Sequence, residues 1–96
     1  MANESAYSDA EIAKHLEALP EWRYEDGALR RAIKTQGFVP ALMLANAIGY
    51  QAELADHHPD LTVAWGRLTI ALSTHSAGGI TEKDFALARK IEALVR

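Results

Sequence analysis

The dipeptide Asp26-Gly27 narrows the folds open to this chain more than any other feature, because it stands between the alternating runs Trp22-Arg23-Tyr24-Glu25 and Ala28 to Thr35. Both central residues of a type I′ turn need positive φ, which Asp and Gly tolerate, so the pattern predicts a two-residue β-hairpin. Side chains alternate along a strand, which puts Trp22 and Tyr24 on one face. A second hairpin is expected further on. There Leu61, Val63 and Trp65 alternate, Gly66-Arg67 turns, and Leu68, Ile70 and Leu72 face the core.

Helical patterns surround the hairpins. Ser8-Asp9-Ala10-Glu11 reads as a capping box ahead of Ile12, Leu16 and Leu19, with Pro20 as the stop. Residues 1–7 are expected to form a flexible N-terminus, and His15, off the apolar stripe, to be solvated. Gly37-Phe38-Val39-Pro40 opens a second helix that runs to about Asp56. Leu42, Ala45, Gly49 and Ala52 make one stripe on it, with Met43, Ala47 and Leu54 beside them. That breadth predicts packing against the sheet and against something else. Thr81 to Asp84 caps the last helix, which buries Phe85, Ala88, Ile91 and Val95. The order α-β-β-α-β-β-α predicts an α+β domain over residues 1–96, with a four-stranded antiparallel sheet and helices packed on one face.

Composition excludes several function classes. With 96 residues, 49% hydrophobic and 24% charged, the chain suits one globular core. It has no cysteine, which removes disulfides, thiolate catalysis and cysteine-ligated metals. A net charge of −3 offers no basic footprint for nucleic acid. No basic-then-apolar leader pattern opens the sequence and no apolar run reaches membrane-spanning length, so a soluble cytoplasmic domain is expected, with neither nucleic acid nor membrane as a partner.

Three of the four histidines lie between Glu53 and Asp84. Glu53 and His57 are four apart, so on a helix the carboxylate can hydrogen-bond the imidazole and fix its tautomer. Pro59 ends the helix, which allows His57 and His58 to converge on one pocket. Each signal has a plainer explanation: a surface ion pair at Glu53, a polar strand end at His75, a helix cap at Asp84. A zinc site built from Glu53, His57, His58 and His75 is a rival, weakened because adjacent histidines rarely share one tetrahedral metal. No nucleophile elbow or phosphate-binding glycine loop appears. General acid–base work by histidines, with no cofactor or metal, fits this inventory best.

The run Glu53-x-x-x-His57-His58-Pro59, followed by the aromatic Trp65, His75 and Asp84, resembles the pterin-4a-carbinolamine dehydratases. Thr74-His75-Ser76-Ala77-Gly78-Gly79-Ile80-Thr81 is similar to that family's loop, and Trp22 to a tryptophan in its pattern. Trp65 departs from it, standing where many members have tyrosine. The resemblance implies the same fold and a hydro-lyase that removes water from 4a-hydroxytetrahydrobiopterin to give quinonoid dihydropterin, recycling the pterin of aromatic amino acid hydroxylases. By similarity, His57 and His75 carry the proton transfers and His58 mainly holds substrate. Trp22, Thr74 and Pro59 would contact the pterin, Glu53 would orient His57, and Asp84 would support the histidines. The resemblance also implies a homodimer or homotetramer and a functional link to a hydroxylase. A non-catalytic, homo-oligomeric module that regulates or assembles a partner protein is the alternative, because fold does not dictate function.

Overall fold

The computed structural model describes residues 5–95. Residues 1–4 of the expected flexible N-terminus lie outside them. Ser8 caps helix α1 (Asp9–Leu16): its hydroxyl accepts from the Glu11 amide at 3.1 Å, and the Glu11 carboxylate accepts from the Ser8 amide at 2.7 Å. The helix stops short of Pro20. Residues 17–19 tighten into successive bonds to the carbonyls three positions back, a common way to close a helix end, and Leu19 is thereby turned into the core.

Strands β1 (Arg23–Glu25) and β2 (Ala28–Lys34) form the first hairpin, with Asp26 at φ 51° and Gly27 at φ 75°, the positive pair a type I′ turn requires. Helix α2 (Phe38–Ala55) leads to β3 (Asp60–Ala64), β4 (Arg67–Leu72) and helix α3 (Glu82–Val95). The sheet is antiparallel throughout, in the order β1-β2-β4-β3. A short 3₁₀ turn, His75–Ala77, lies between β4 and α3. Trp65 is not a strand residue as its alternation suggested. It takes the turn position before Gly66 and is exposed, because Ala64 pairs with Arg67 and closes the hairpin there.

The register explains why the sheet is one-sided. Pairing of Leu29 with Leu72 and of Leu61 with Ile70 places these side chains on the same face as Leu68 and Ile33. Leu29, Leu68, Ile70 and Leu72 are fully buried against Ile12, Ala41, Ile48, Phe85 and Ile91, each contributing roughly 1.5–3 kcal/mol by leaving water. The opposite face keeps Arg67 exposed and Thr69 and Ala71 half-buried.

The buried stripe of α2 is rotated from the expected one. Ala41, Ala45, Ile48 and Ala52 face the core, whereas Leu42, Met43 and Leu54 are exposed together with Phe38, Val39 and Tyr50. A helix so apolar on both sides carries little amphipathic signal, so periodicity alone could not choose the inner face. The N-terminal end also departs from expectation. Tyr7 is half-buried, its amide donates to the Ile80 carbonyl at 2.7 Å, and its ring stacks on His15 at 4.8 Å. His15 is exposed as expected but has an aromatic partner rather than solvent alone. Among the described residues, no helix is long and apolar enough to cross a membrane.

Candidate active site

The end of α2 sets the geometry. Asp56 leaves the helix in the left-handed conformation, φ 51° and ψ 42°, and the His57 amide reaches back to the Ala52 carbonyl at 3.1 Å, a Schellman-type closure. His57 therefore no longer occupies the helical position one turn beyond Glu53. The expected Glu53–His57 pair does not form. Glu53 instead accepts from His58 Nε2 at 2.9 Å, an ion pair with both side chains well exposed, and His57 turns inward.

Asp84 takes the role foreseen for Glu53. His57 Nε2 lies 2.6 Å from Asp84 Oδ1, with the histidine side chain 10% exposed and the aspartate fully buried. A carboxylate can only accept, so the imidazole donates from Nε2 and leaves Nδ1 as its exchangeable nitrogen. The other carboxylate oxygen, Oδ2, accepts from the Thr74 hydroxyl at 2.8 Å and the Thr81 amide at 2.9 Å. Thr74 and Thr81 hydroxyls are 2.9 Å apart, so with the Thr74 proton given to Asp84, Thr81 donates to Thr74. Asp84, three residues after the cap Thr81, thus closes the start of α3 and is the partner of His57 at once. No buried side-chain nitrogen or oxygen among the described residues lacks a partner.

His57, His58 and His75 meet at one cleft of about 280 Å³, together with Asp56, Ser73, Thr74, Ser76 and Lys83. Three separate junctions deliver them: the α2–β3 corner, the exit of β4, and the start of α3. His75 opens the 3₁₀ turn and is exposed. Two imidazoles with different surroundings therefore border the same space, one fixed by a buried carboxylate and one open to solvent. Among the described residues, no three histidine, aspartate or glutamate side chains are grouped to hold a metal ion.

Several expected contacts lie elsewhere. Trp22 is buried away from the cleft, and its Nε1 donates to Glu92 Oε2 at 2.8 Å. Arg31 donates to the same oxygen at 2.7 Å, which ties the residue before β1, strand β2 and helix α3 together. Thr74 borders the cleft as expected, and its hydroxyl is bonded to Asp84 and Thr81. Pro59 is half-buried and, like Glu53, does not line the cleft. Asp56, Ser73, Ser76 and Lys83 are lining residues that were not foreseen. Lys83 carried a signal of position only, being adjacent to Asp84, and Ser73 adjoins Thr74.

Residues 5–94 match the family model described as pterin 4 alpha carbinolamine dehydratase. The chain belongs to that family. A protein of Acidobacterium capsulatum assigned as a pterin-4-alpha-carbinolamine dehydratase is 43% identical over 84 residues, spanning 88% of this chain and 91% of the relative. A Nocardia farcinica protein with the same assignment is 42% identical over 89 residues, spanning 93% and 94%. A crystal structure described as a transcriptional coactivator/pterin dehydratase from Brucella melitensis superposes with a TM-score of 0.90 at 33% identity, covering 96% of this chain and all of that one. These similarities extend over the sheet and all three helices, so the family fold and the junctions that build the cleft belong to the same match.

Proposed function

We propose that this chain is a hydro-lyase acting on 4a-hydroxytetrahydropterins, of which the biopterin form is the expected substrate. One observation carries the reading: His57, buttressed by buried Asp84, borders the same cleft as His58 and His75. Dehydration breaks the C4a–O bond, the oxygen leaving as water with a proton from an acid. N5 gives its proton to a base as the C4a=N5 bond forms. Imidazole can serve either step near neutral pH, and such proton transfer is worth about 10²–10⁴ in rate.

In this reading His57 and His75 exchange protons with the leaving oxygen and N5, and His58 holds the pterin. Acid and base are properties of the coupled pair and not of one residue each. Asp84 keeps His57 in one tautomer and orientation. The activity belongs to pterin recycling alongside an aromatic amino acid hydroxylase in the cytoplasm. The apolar side of α2 that a lone subunit leaves open to water, with Phe38, Leu42, Met43 and Leu54, supports a homo-oligomer.

The test is the rate of dehydration of a 4a-hydroxytetrahydropterin generated in the assay by a hydroxylase, with chelator present. Wild type is compared with His57→Ala and His75→Ala, each checked for folding by circular dichroism. Rapid turnover by wild type and a loss of at least about 10² in both variants is expected. Folded wild type that gives no acceleration over buffer overturns the enzyme reading in favour of a binding module.

A further inference from the structure

The loop from Ser73 to Thr81 carries Thr74 and His75 beyond the sheet, and its own contacts are local. They are a 3₁₀ turn at its tip, where the Ala77 and Gly78 amides donate to the Thr74 and His75 carbonyls at 3.0 Å and 3.1 Å, and a pairing at its base. Thr74 and Gly79 pair through bonds of 2.8 Å and 3.3 Å, while His75, Ser76 and Gly78 are exposed. A second segment braces its returning limb. The Tyr7 amide donates to the Ile80 carbonyl at 2.7 Å, and the Tyr7 hydroxyl donates to Glu82 Oε1 at 3.2 Å. The Tyr7 ring lies parallel to His15, 9° between planes, and both rings tilt against Phe85, at 6.0 Å and 5.0 Å between centroids. Phe85 is fully buried and follows Asp84 in the chain. Beside Tyr7, Ala6 packs so close to Gly79 that a Cβ added there would sit 3.1 Å from the Ala6 Cβ.

We propose that Tyr7 is a positioning residue for the candidate catalytic loop: the strap Ala6-Tyr7 presses on Gly79 and Ile80 and thereby holds Thr74 and His75 in register with Asp84 and His57. The inference rests on the dehydratase reading and deepens it. The route is short and continuous, from Tyr7 to Ile80, across the Gly79–Thr74 pairing, and on to the hydroxyl that Thr74 gives Asp84. Misplacement of a catalytic group by about 1 Å can cost 10² in rate, so a brace remote from the chemistry has leverage on it.

Four variants in the full chain test this: Tyr7→Phe, Tyr7→Ala, Gly79→Ala, and Gly79→Ala combined with Ala6→Gly. Two readouts are taken, steady-state dehydration and the NMR signals and amide hydrogen exchange of residues 74–81, including the His75 ring. Tyr7→Phe keeps the ring contacts and the backbone bond and should match wild type in both. Tyr7→Ala retains the backbone bond but removes the ring that seats the strap against His15 and Phe85. It should lower kcat about tenfold, with KM within about twofold, and speed exchange across the loop, the kind of loss that loosened positioning gives. Gly79→Ala should do the same by crowding Ala6, and Ala6→Gly should restore it, since neighbouring sites couple. Unchanged loop signals and unchanged kcat in Tyr7→Ala, with only a lower Tm, would overturn the proposal and leave the strap a plain stabiliser. Inactive wild type would refute the dehydratase reading alone, because loop exchange and the His75 resonances still decide whether the strap positions the loop.

Discussion

His57 Nε2 and Asp84 Oδ1 lie 2.6 Å apart across 27 residues of chain, and this contact joins the end of one helix to the start of another. The carboxylate that receives the imidazole is itself held by Thr74 and by the Thr81 amide. Its position is therefore set by the fold before any substrate arrives. The pair at the surface, Glu53 with His58, has no such support.

This contrast makes the two carboxylates separable. Asp84→Asn is expected to lower kcat by about 10²-fold, the low end of the range for general acid–base groups. It should also cost about 1–3 kcal/mol of stability, since it leaves buried partners imperfectly satisfied. Glu53→Gln should change kcat no more than about twofold and stability by less than about 1 kcal/mol, as exposed pairs do. Steady-state turnover and urea unfolding of both variants check this. A large kcat loss in Glu53→Gln with little in Asp84→Asn would restore the helical Glu53–His57 pairing.

Trp22, Arg31 and Glu92 should act on stability rather than on substrate. Trp22→Phe removes one donor from Glu92 while Arg31 remains, so a loss of about 1–3 kcal/mol is expected with KM unchanged. Arg31→Met leaves Glu92, whose side chain is only 4% exposed, with the Trp22 donor but no opposite charge, and should cost more, about 3–5 kcal/mol. Denaturant midpoints and KM values for the two variants test the assignment. A several-fold KM increase in Trp22→Phe at unchanged stability would place the indole against the pterin.

The strap predicts a titration. Partial burial and then the nearby Glu82 carboxylate raise the Tyr7 hydroxyl above the ordinary tyrosine range. A folded-state pKa raised in this way favours folding at all pH values below the unfolded tyrosine pKa, and the contribution disappears as pH rises through the folded value. Ultraviolet titration of tyrosinate should show one late-titrating tyrosine that is missing in Tyr7→Phe. The stability difference between wild type and Tyr7→Phe should shrink over that alkaline window. A difference that grows there would contradict the contact with Glu82.

Much of the architecture was readable because it is local. Asp26-Gly27 dictates its turn through backbone sterics, and Ser8 with Glu11 dictates a helix start through hydrogen bonds three residues apart. The alternation of Leu68, Ile70 and Leu72 identifies the inner face of β4 for the same reason: strand periodicity is a property of the backbone itself. The inner face of α2 was not readable, since apolar residues occupy both its sides and only the neighbouring sheet selects between them.

For the site, the sequence by itself determined which groups are available, three histidines and an aspartate near chain junctions, and that Pro59 would end the helix beside them. Tertiary structure decided who meets whom. It turned His57 from Glu53 to Asp84, Thr74 inward to the same carboxylate, and Trp22 away to Glu92, 70 residues distant. Spacing along a helix can announce a partner one turn away, but a single left-handed residue, Asp56, redirects everything after it. Contacts between distant segments depend on how the packed elements bring their ends together, and that is settled by burial of the whole core at once.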